Sequence, residues 1–314
     1  MSKRRLMVGV CMGAAAACVA VWSAAATAKS QGTVKLGVIT KFPVGFYFTL
    51  QDGAKAWDKG HSGASVVFAQ GKSATDDAGE IAAIQDMVTS GVKGIAIAPT
   101  SPAVAKALDK AKKQGVTIVL IDNDIPTWHG KASVVATNNF NGGKLAGKYL
   151  ASRLKAGDKL GVLAGVPGVP SLDDRVKGML AGLGALKSKL KIVGNLETDC
   201  AQDKGFTAAQ TIITANPDLK AIYAACGPPA VGMDQAAKNA KLPNSTVLVG
   251  FDASSGEIPL ILSGRQTASV AQFPYKIGLL GVDTLWKAVQ GKKVPKNVDT
   301  GTALVTKANA KKFK

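Results

Sequence analysis

From Val34 onward, short apolar runs alternate with longer amphipathic stretches. The short runs are rich in β-branched residues and apolar on both faces, and they predict strands over 34–40, 65–70, 94–98, 117–121, 159–164, 191–193, 221–225, 246–250 and 267–271. The stretches between them predict helices over 46–59, 77–90, 102–114, 141–154, 172–186, 204–215, 231–239 and 275–290. Strands of this kind, separated by helices, predict an α/β fold with doubly wound parallel sheets.

The number of strand–helix units predicts two sheets, because one open sheet of ordinary width would not hold them all. A chain of 314 residues is long enough for two domains with complete cores. No Pro/Gly/Ser-rich linker separates two halves. This favours lobes between which the chain crosses more than once. Ligands of such sheets bind beyond the carboxyl ends of the strands, so the residues after each strand are the candidate site.

The first 28 residues have the layout of a secretory signal peptide. A basic head over 3–5 precedes an apolar stretch over 6–22, and an A-x-A sequence at 26–28 supplies a small-residue cleavage site. An uncleaved membrane anchor is the alternative, because the apolar stretch is nearly long enough to span a bilayer. The small-residue ending favours cleavage after Ala28.

Removing this leader would leave 286 residues and lower the formal net charge from +18 to about +15. The remaining basic residues are scattered over predicted helices and turns, without the interleaved aromatic residues of single-strand binders. We therefore interpret the charge as a solvated basic surface and expect no nucleic-acid partner. Of the four cysteines, Cys200 and Cys226 would remain, an even pair in an oxidising compartment.

Catalytic and cofactor motifs are absent or incomplete. The sequence has no G-x-S-x-G, H-E-x-x-H or C-x-x-C. The sequence GKS at 71–73 lacks the first glycine of a phosphate-binding loop. His61 and His129 fall in glycine-flanked segments, where a solvated loop histidine is the simpler interpretation than a base or a metal ligand. The sequence therefore predicts no enzyme, no cofactor and no metal site.

Polar and aromatic residues gather where the predicted strands end. They are Lys41, Phe46 and Tyr47 after the first strand, Asp122 and Asn123 after the fourth, Arg175 beyond 159–164, Asp252 after 246–250 and Gln272 after 267–271. Carboxylates accept hydrogen bonds from two adjacent hydroxyls of a sugar, and guanidinium and amide groups bond to its remaining polar groups. Aromatic rings pack against the C–H faces of the sugar ring. Each residue alone could simply cap a helix, but the set together favours a sugar site.

Further motifs accompany these residues: Asp52-Gly53-Ala54, Ala98-Pro99-Thr100, Ile121-Asp122, Asn139 with the run 142–147, Arg175 with Gly178, the run 249–252, and Ala271-Gln272 with Gly278. Over 33–305 the chain resembles the ribose-type family of periplasmic sugar-binding proteins, the receptors of bacterial ABC importers. The resemblance implies a type I periplasmic binding protein fold, with two Rossmann-like lobes joined by a three-strand hinge. The crossings would lie near Thr137, Gln272 and Thr300.

The resemblance also implies the lobe bounds and the function. Residues 29–136 plus 273–299 would form the first lobe, and 137–272 plus 300–314 the second. The chain would be a monomeric periplasmic receptor that captures a small sugar or polyol and delivers it to an ABC transporter permease. The implied ligand contacts are Phe46 and Tyr47 by stacking, and Asp122, Arg175, Asp252 and Gln272 by hydrogen bonds. Asn123, which stands where the family has an arginine, is a further candidate contact.

The chain departs from the family pattern at several pocket positions. Val44 and Ala98 stand where ribose binders have asparagines, Cys200 aligns with a pocket phenylalanine, and Cys226 aligns with a pocket asparagine. The lost polar partners disfavour ribose itself. The two cysteines align to successive strand ends of one lobe, and neighbouring strands lie about 5 Å apart. We therefore predict a Cys200–Cys226 disulfide at the cleft wall, with two buried thiols as the alternative.

Other functions stay open at this point. Lys41 would be an additional contact if the chain resembled the branch that binds rhamnose or furanone-type quorum signals. A chemoreceptor co-ligand would use the same fold. A transcription repressor of the related two-lobe class is disfavoured because the leader occupies the place of its DNA-binding helices. A secreted enzyme is the least favoured function.

Overall fold

The structure is a computed structural model that describes residues 33–313. The predicted signal peptide and its cleavage site lie outside the described residues. Within 33–313 no helix is long and apolar enough to cross a membrane. The strands are β1 (Val34–Thr40), β2 (Ala64–Gln70), β3 (Gly94–Ile97), β4 (Thr117–Ile121), β5 (Ser133–Ala136), β6 (Lys159–Ala164), β7 (Lys191–Glu197), β8 (Ala221–Ala224), β9 (Val247–Asp252), β10 (Ala268–Ala271), β11 (Asn297–Asp299) and β12 (Ala303–Thr306).

These strands form two six-stranded sheets. The first has the order β11-β5-β4-β3-β1-β2, and the second has the order β12-β10-β9-β8-β6-β7. Every strand pair of the first sheet is parallel. The second sheet is parallel except at its edge, where β12 runs antiparallel to β10. The predicted fold of two lobes built on parallel sheets is confirmed.

Helices cover both faces of each sheet. They are α1 (Gly45–Lys59), α2 (Asp77–Thr89), α3 (Ala105–Lys113), α4 (Asn139–Ala151), α5 (Pro170–Gly182), α6 (Gln202–Ala215), α7 (Gly227–Asn239), α8 (Glu257–Ser263) and α9 (Pro274–Val289). Alternate strand residues face opposite sides of a sheet. In β1, Ile39 packs in one hydrophobic cluster and Val38 packs in the cluster on the other face. This two-sided burial explains the continuous apolar runs of the sequence.

The chain crosses between the lobes at three places. It leaves the first sheet after β5, returns to the first lobe after β10, and crosses again between β11 and β12. Helix α9 then packs against α1 and the first sheet, although it follows the last parallel strand of the second sheet. These crossings form the three-segment hinge.

The sequence patterns missed three strands and one helix. Strands β5, β11 and β12 have only three or four residues each, and no helix separates β5 from β4 or β12 from β11, so the strand–helix alternation does not mark them. Strand β7 continues to Glu197 rather than ending near Val193, because it is the largely exposed edge of the second sheet and tolerates polar residues. Helix α8 was missed because it spans only Glu257–Ser263.

A close helix contact positions one of the candidate site residues. A Cβ at Gly143 of α4 would lie 2.1 Å from the backbone oxygen of Arg175 in α5. Only glycine permits this approach, since a real Cβ atom essentially never comes within 3.0 Å of a heavy atom from a distant residue. The contact brings Arg175 close to Asn139, at the start of α4.

Candidate functional site

A cleft of about 970 Å³ lies between the two lobes, beyond the carboxyl ends of the strands. Its lining includes all the side chains that the sequence predicted for the site: Lys41, Phe46, Tyr47, Asp122, Asn123, Arg175, Asp252, Gln272, Cys200 and Cys226. The structure therefore brings residues from both lobes and from distant parts of the chain to one place.

Asp122 forms the polar centre of the first lobe's side of the cleft. It follows β4 in a left-handed conformation, with φ of 63°. Its Oδ2 accepts hydrogen bonds from the Tyr47 hydroxyl at 2.8 Å and from the Asn123 Nδ2 at 2.6 Å. Burial raises the pKa of the Asp122 carboxyl, while the charges of Lys41 and Arg175 oppose that rise. Its Oδ1 atom makes no hydrogen bond within residues 33–313 and can accept one from a ligand.

The aromatic residues of α1 form an edge-to-face cluster. The Tyr47 ring lies 5.2 Å from Phe46 and 5.5 Å from Phe42, with interplanar angles of 90° and 75°. Tyr47 is buried and its hydroxyl is bonded to Asp122, whereas Phe46 is half-buried and lines the cleft. That both rings stack on a ligand stays a prediction. Phe42 joins the cleft wall although the sequence analysis did not select it.

Asp252 forms the polar centre of the second lobe's side. It ends β9 with φ of 90°. Its Oδ1 accepts from Gln272 Nε2 at 2.6 Å and lies 3.4 Å from Arg175 Nη1, and its Oδ2 accepts from the Gly227 amide at 2.9 Å. The Oε1 atom of Gln272 is buried and has no hydrogen-bond partner among the described residues.

Arg175 is held from several directions. Its Nε donates to Asn139 Oδ1 at 2.8 Å, and its Nη1 donates to the Ala225 carbonyl at 2.9 Å. The guanidinium lies 4.0 Å from the centre of the Phe251 ring, a cation–π contact. These contacts orient the group while leaving Nη2 without a hydrogen bond in the described chain. Arg175 can therefore donate to a ligand without changing its position.

Lys41 is a buried cation at the edge of the cleft. It is only 6% exposed, and its ammonium makes no hydrogen bond or ion pair within 33–313. Burial lowers its pKa, although the nearby Asp122 and Glu80 carboxylates act in the opposite direction. Behind it, burial raises the pKa of Glu80 to about 7, against the hydrogen bonds that Glu80 receives from Thr100. Glu80 was not recognised from sequence because it lies within a helix, away from any strand end.

A hydrogen bond joins the two lobes across the cleft. The Ser171 hydroxyl of the second lobe donates to Asn123 Oδ1 of the first. Ser171 was also not selected from the sequence. Its place in the first turn of α5, directly after a strand-end loop, is the signal that could have identified it.

The predicted disulfide is confirmed: Cys200 and Cys226 are bonded, with Cα atoms 5.6 Å apart. The strand adjacency that suggested it is wrong. Cys200 follows β7 and Cys226 follows β8, but β6 lies between these two strands in the sheet. Asp199 and Cys200 both have positive φ values, of 47° and 54°, which turn the chain across the end of β6 toward Cys226.

Comparison with known proteins identifies the same architecture. Residues 36–293 match the family model described as a periplasmic binding protein domain. The D-ribose/D-allose-binding protein of Pseudomonas aeruginosa is 32% identical over 273 residues, which cover 83% of this chain and 85% of that protein. The ribose import binding protein of Escherichia coli is 31% identical over 284 residues, covering 90% of this chain and 93% of the relative.

A solved structure has the same fold. The ABC transporter solute-binding protein of Burkholderia graminis, in complex with D-arabinose, matches with a TM-score of 0.83 and 25% identity. The match covers 90% of this chain and 98% of that structure. Family model, relatives and structure agree over nearly all of the described residues. The chain belongs to the periplasmic binding protein family.

Proposed function

We propose that this chain is the substrate-binding protein of an ABC importer, and that it captures a small sugar or polyol in the cleft and delivers it to the membrane permease. The named relatives bind ribose or allose, and the similar structure holds D-arabinose. The observation that carries the proposal is the unused hydrogen-bonding capacity of the cleft. Among residues 33–313, Gln272 Oε1 is buried without a hydrogen-bond partner, and Asp122 Oδ1, Arg175 Nη2 and the Lys41 ammonium make no hydrogen bond.

This capacity suits a neutral polyhydroxylated molecule. Hydroxyl groups both donate and accept, so they can bond to the carboxylate and amide oxygens and also to the two cations. The cations Lys41 and Arg175 balance the carboxylates Asp122 and Asp252, so a ligand need not supply charge. Charge-assisted hydrogen bonds of this kind are roughly twice as strong as neutral ones, which gives a few of them enough energy to hold a small ligand.

Isothermal titration calorimetry on protein isolated from the periplasm of an expressing host tests the proposal. The ligand panel is D-ribose, D-allose, D-arabinose and glycerol. We expect at least one member to bind, and Asp252→Asn to weaken its binding by 100-fold or more, because a buried arginine then loses its counter-ion. Asp86→Asn is the matched control, since Asp86 is an exposed carboxylate of α2 away from the cleft. Binding that survives Asp252→Asn unchanged would remove the proposed site.

Several further features belong to the proposal. The chain would act by capture rather than catalysis, as a member of a family of binding proteins. The leader would be cleaved after Ala28, which the intact mass of the periplasmic protein tests. The lobes would comprise 29–136 plus 273–299 and 137–272 plus 300–314, bounds that the chain crossings support. A monomer is expected. The relatives do not favour the rhamnose-like, quorum-signal or chemoreceptor alternatives.

A further inference from the structure

One wall of the cleft differs in chemistry from the polar groups around Asp252. Val169, Leu172 and Cys226 form a buried apolar cluster, against which Val166 and Cys200 pack. We call these five residues the disulfide wall. All of them line the cleft. Their side chains include no strong hydrogen-bond donor or acceptor, because a disulfide and aliphatic groups make only weak polar contacts.

The disulfide wall stands directly beside the polar groups. Cys226 lies between two residues whose backbones hold the charged pair: the Ala225 carbonyl accepts from Arg175, and the Gly227 amide donates to Asp252, each at 2.9 Å. A small ligand bonded to Arg175 and Asp252 therefore has the wall within contact distance. The ligand would lie next to the wall because Ala225 and Gly227, which contact Arg175 and Asp252, directly flank Cys226 in the chain.

The two hydroxyl side chains beside the disulfide wall already donate hydrogen bonds within the protein. Ser254, whose Oγ lies close to Gly227, donates to Glu257 Oε2 at 3.0 Å. The Ser171 hydroxyl donates to Asn123 in the other lobe. Gln202 lines the cleft, but it is exposed and so lies at the solvent side. A ligand hydroxyl turned to the disulfide wall would lose its bonds to water and gain no partner from the side chains of the wall.

We propose that the natural ligand turns a methyl or methylene carbon, and not a hydroxyl-bearing one, to the disulfide wall. The inference rests on the proposed function and narrows its ligand class to deoxy or otherwise partly unhydroxylated sugars and polyols. A carbon at this place gains favourable binding free energy from burial against the wall, whereas a hydroxyl would be buried there as an unsatisfied polar group. Removing the hydroxyl should raise affinity by about 5- to 150-fold.

Calorimetry with matched sugars tests this. D-ribose is compared with 2-deoxy- and 5-deoxy-D-ribose, D-allose with 6-deoxy-D-allose, and D-arabinose with 5-deoxy-D-arabinose. We expect one deoxy sugar to bind at least five-fold more tightly than its parent. If every deoxy sugar binds no better than its parent, the inference is wrong while the proposed function stands. If no sugar of either kind binds, the proposed function itself fails.

A pair of isosteric variants assigns the preference to the wall. Val166→Thr places a hydroxyl on the disulfide wall and should reduce the ratio of deoxy to parent affinity by at least three-fold, because the parent's hydroxyl then has a partner. Val193→Thr makes the same change at another half-buried valine, in β7 outside the cleft, and should leave the ratio unchanged. Equal ratios in wild type and Val166→Thr would refute the role of the wall.

Discussion

Removal of the Cys200–Cys226 disulfide should destabilise the second lobe. The bridge joins residues 26 positions apart. Closing a loop of that length restricts the unfolded chain by an amount worth about 3.5 kcal/mol at 25 °C. We expect the double variant Cys200→Ala/Cys226→Ala to lose roughly 3–4 kcal/mol of unfolding free energy. Lost contacts between Cys226 and the buried Val169 and Leu172 would add a smaller amount.

The same change should weaken ligand binding, because the bridge anchors the backbone that orients Arg175 and Asp252. Each of these groups makes one charge-assisted bond to the segment 225–227. Such bonds contribute about 1.5–3 kcal/mol each, and a segment freed from its anchor would lose part of that. We expect the affinity for any ligand found to fall by about ten-fold in protein that is still fully folded.

Urea unfolding followed by two probes gives the measurement. Trp57, Trp128 and Trp286 all pack in the first lobe, so their fluorescence reports on that lobe, whereas far-ultraviolet circular dichroism reports on both. The circular dichroism midpoint should fall more than the fluorescence midpoint. Reduced wild-type protein has lost the cross-link but retains both sulfur atoms. Comparing it with the double variant therefore distinguishes the effect of the cross-link from the effect of lost packing. A loss of less than about 1 kcal/mol in both proteins would refute the loop-closure reasoning.

Three other predictions follow from individual contacts. Burial raises the pKa of Glu257 from 4.5 to about 7, so the folded protein holds a proton that the unfolded chain releases. The contribution of Glu257 to the free energy of unfolding should therefore fall by about 3 kcal/mol between pH 4.5 and 7. Urea midpoints of Glu257→Gln should show a correspondingly smaller decrease over this pH range than those of the wild type. Ser171→Ala removes the hydrogen bond between the lobes and should weaken ligand binding by about two- to ten-fold in calorimetry, because one net hydrogen bond is lost; unchanged affinity would mean that the bond contributes nothing to closure. Gly143→Ala forces α4 away from α5 and should lower stability by about 1–3 kcal/mol and displace Arg175, whereas Gly60→Ala, where a Cβ would lie 3.5 Å from its nearest neighbour, should change thermal stability little.

Much of the fold could be predicted from the sequence because a strand buried on both faces has a continuous run of apolar residues. The run at Val34–Thr40 and the run at Thr117–Ile121 were predicted with their observed bounds. The four-residue β5 was missed because it follows β4 without an intervening helix, outside the strand–helix alternation. The candidate site could be predicted to the extent that its residues follow strands, as Asp122 and Asp252 do. Ser171 lies within a helix, and its part in the cleft depends on which helices face it. Glu80 also lies within a helix and acts on Lys41 from behind the cleft lining.

The class of fold, the residue types of the site and the pair of cysteines could be read from the chain, because periodicity and strand-end position are local properties. The order of the strands, and with it the reason for the disulfide, depends on tertiary packing. β6 separates the two cysteine-bearing strand ends, so the bridge depends on the left-handed turn at Asp199 and Cys200. Tertiary structure also decided which polar atoms remain free. Within the described part of the chain, Gln272 Oε1 has no hydrogen-bond partner while its Nε2 donates to Asp252, and this cannot be known before the chain folds.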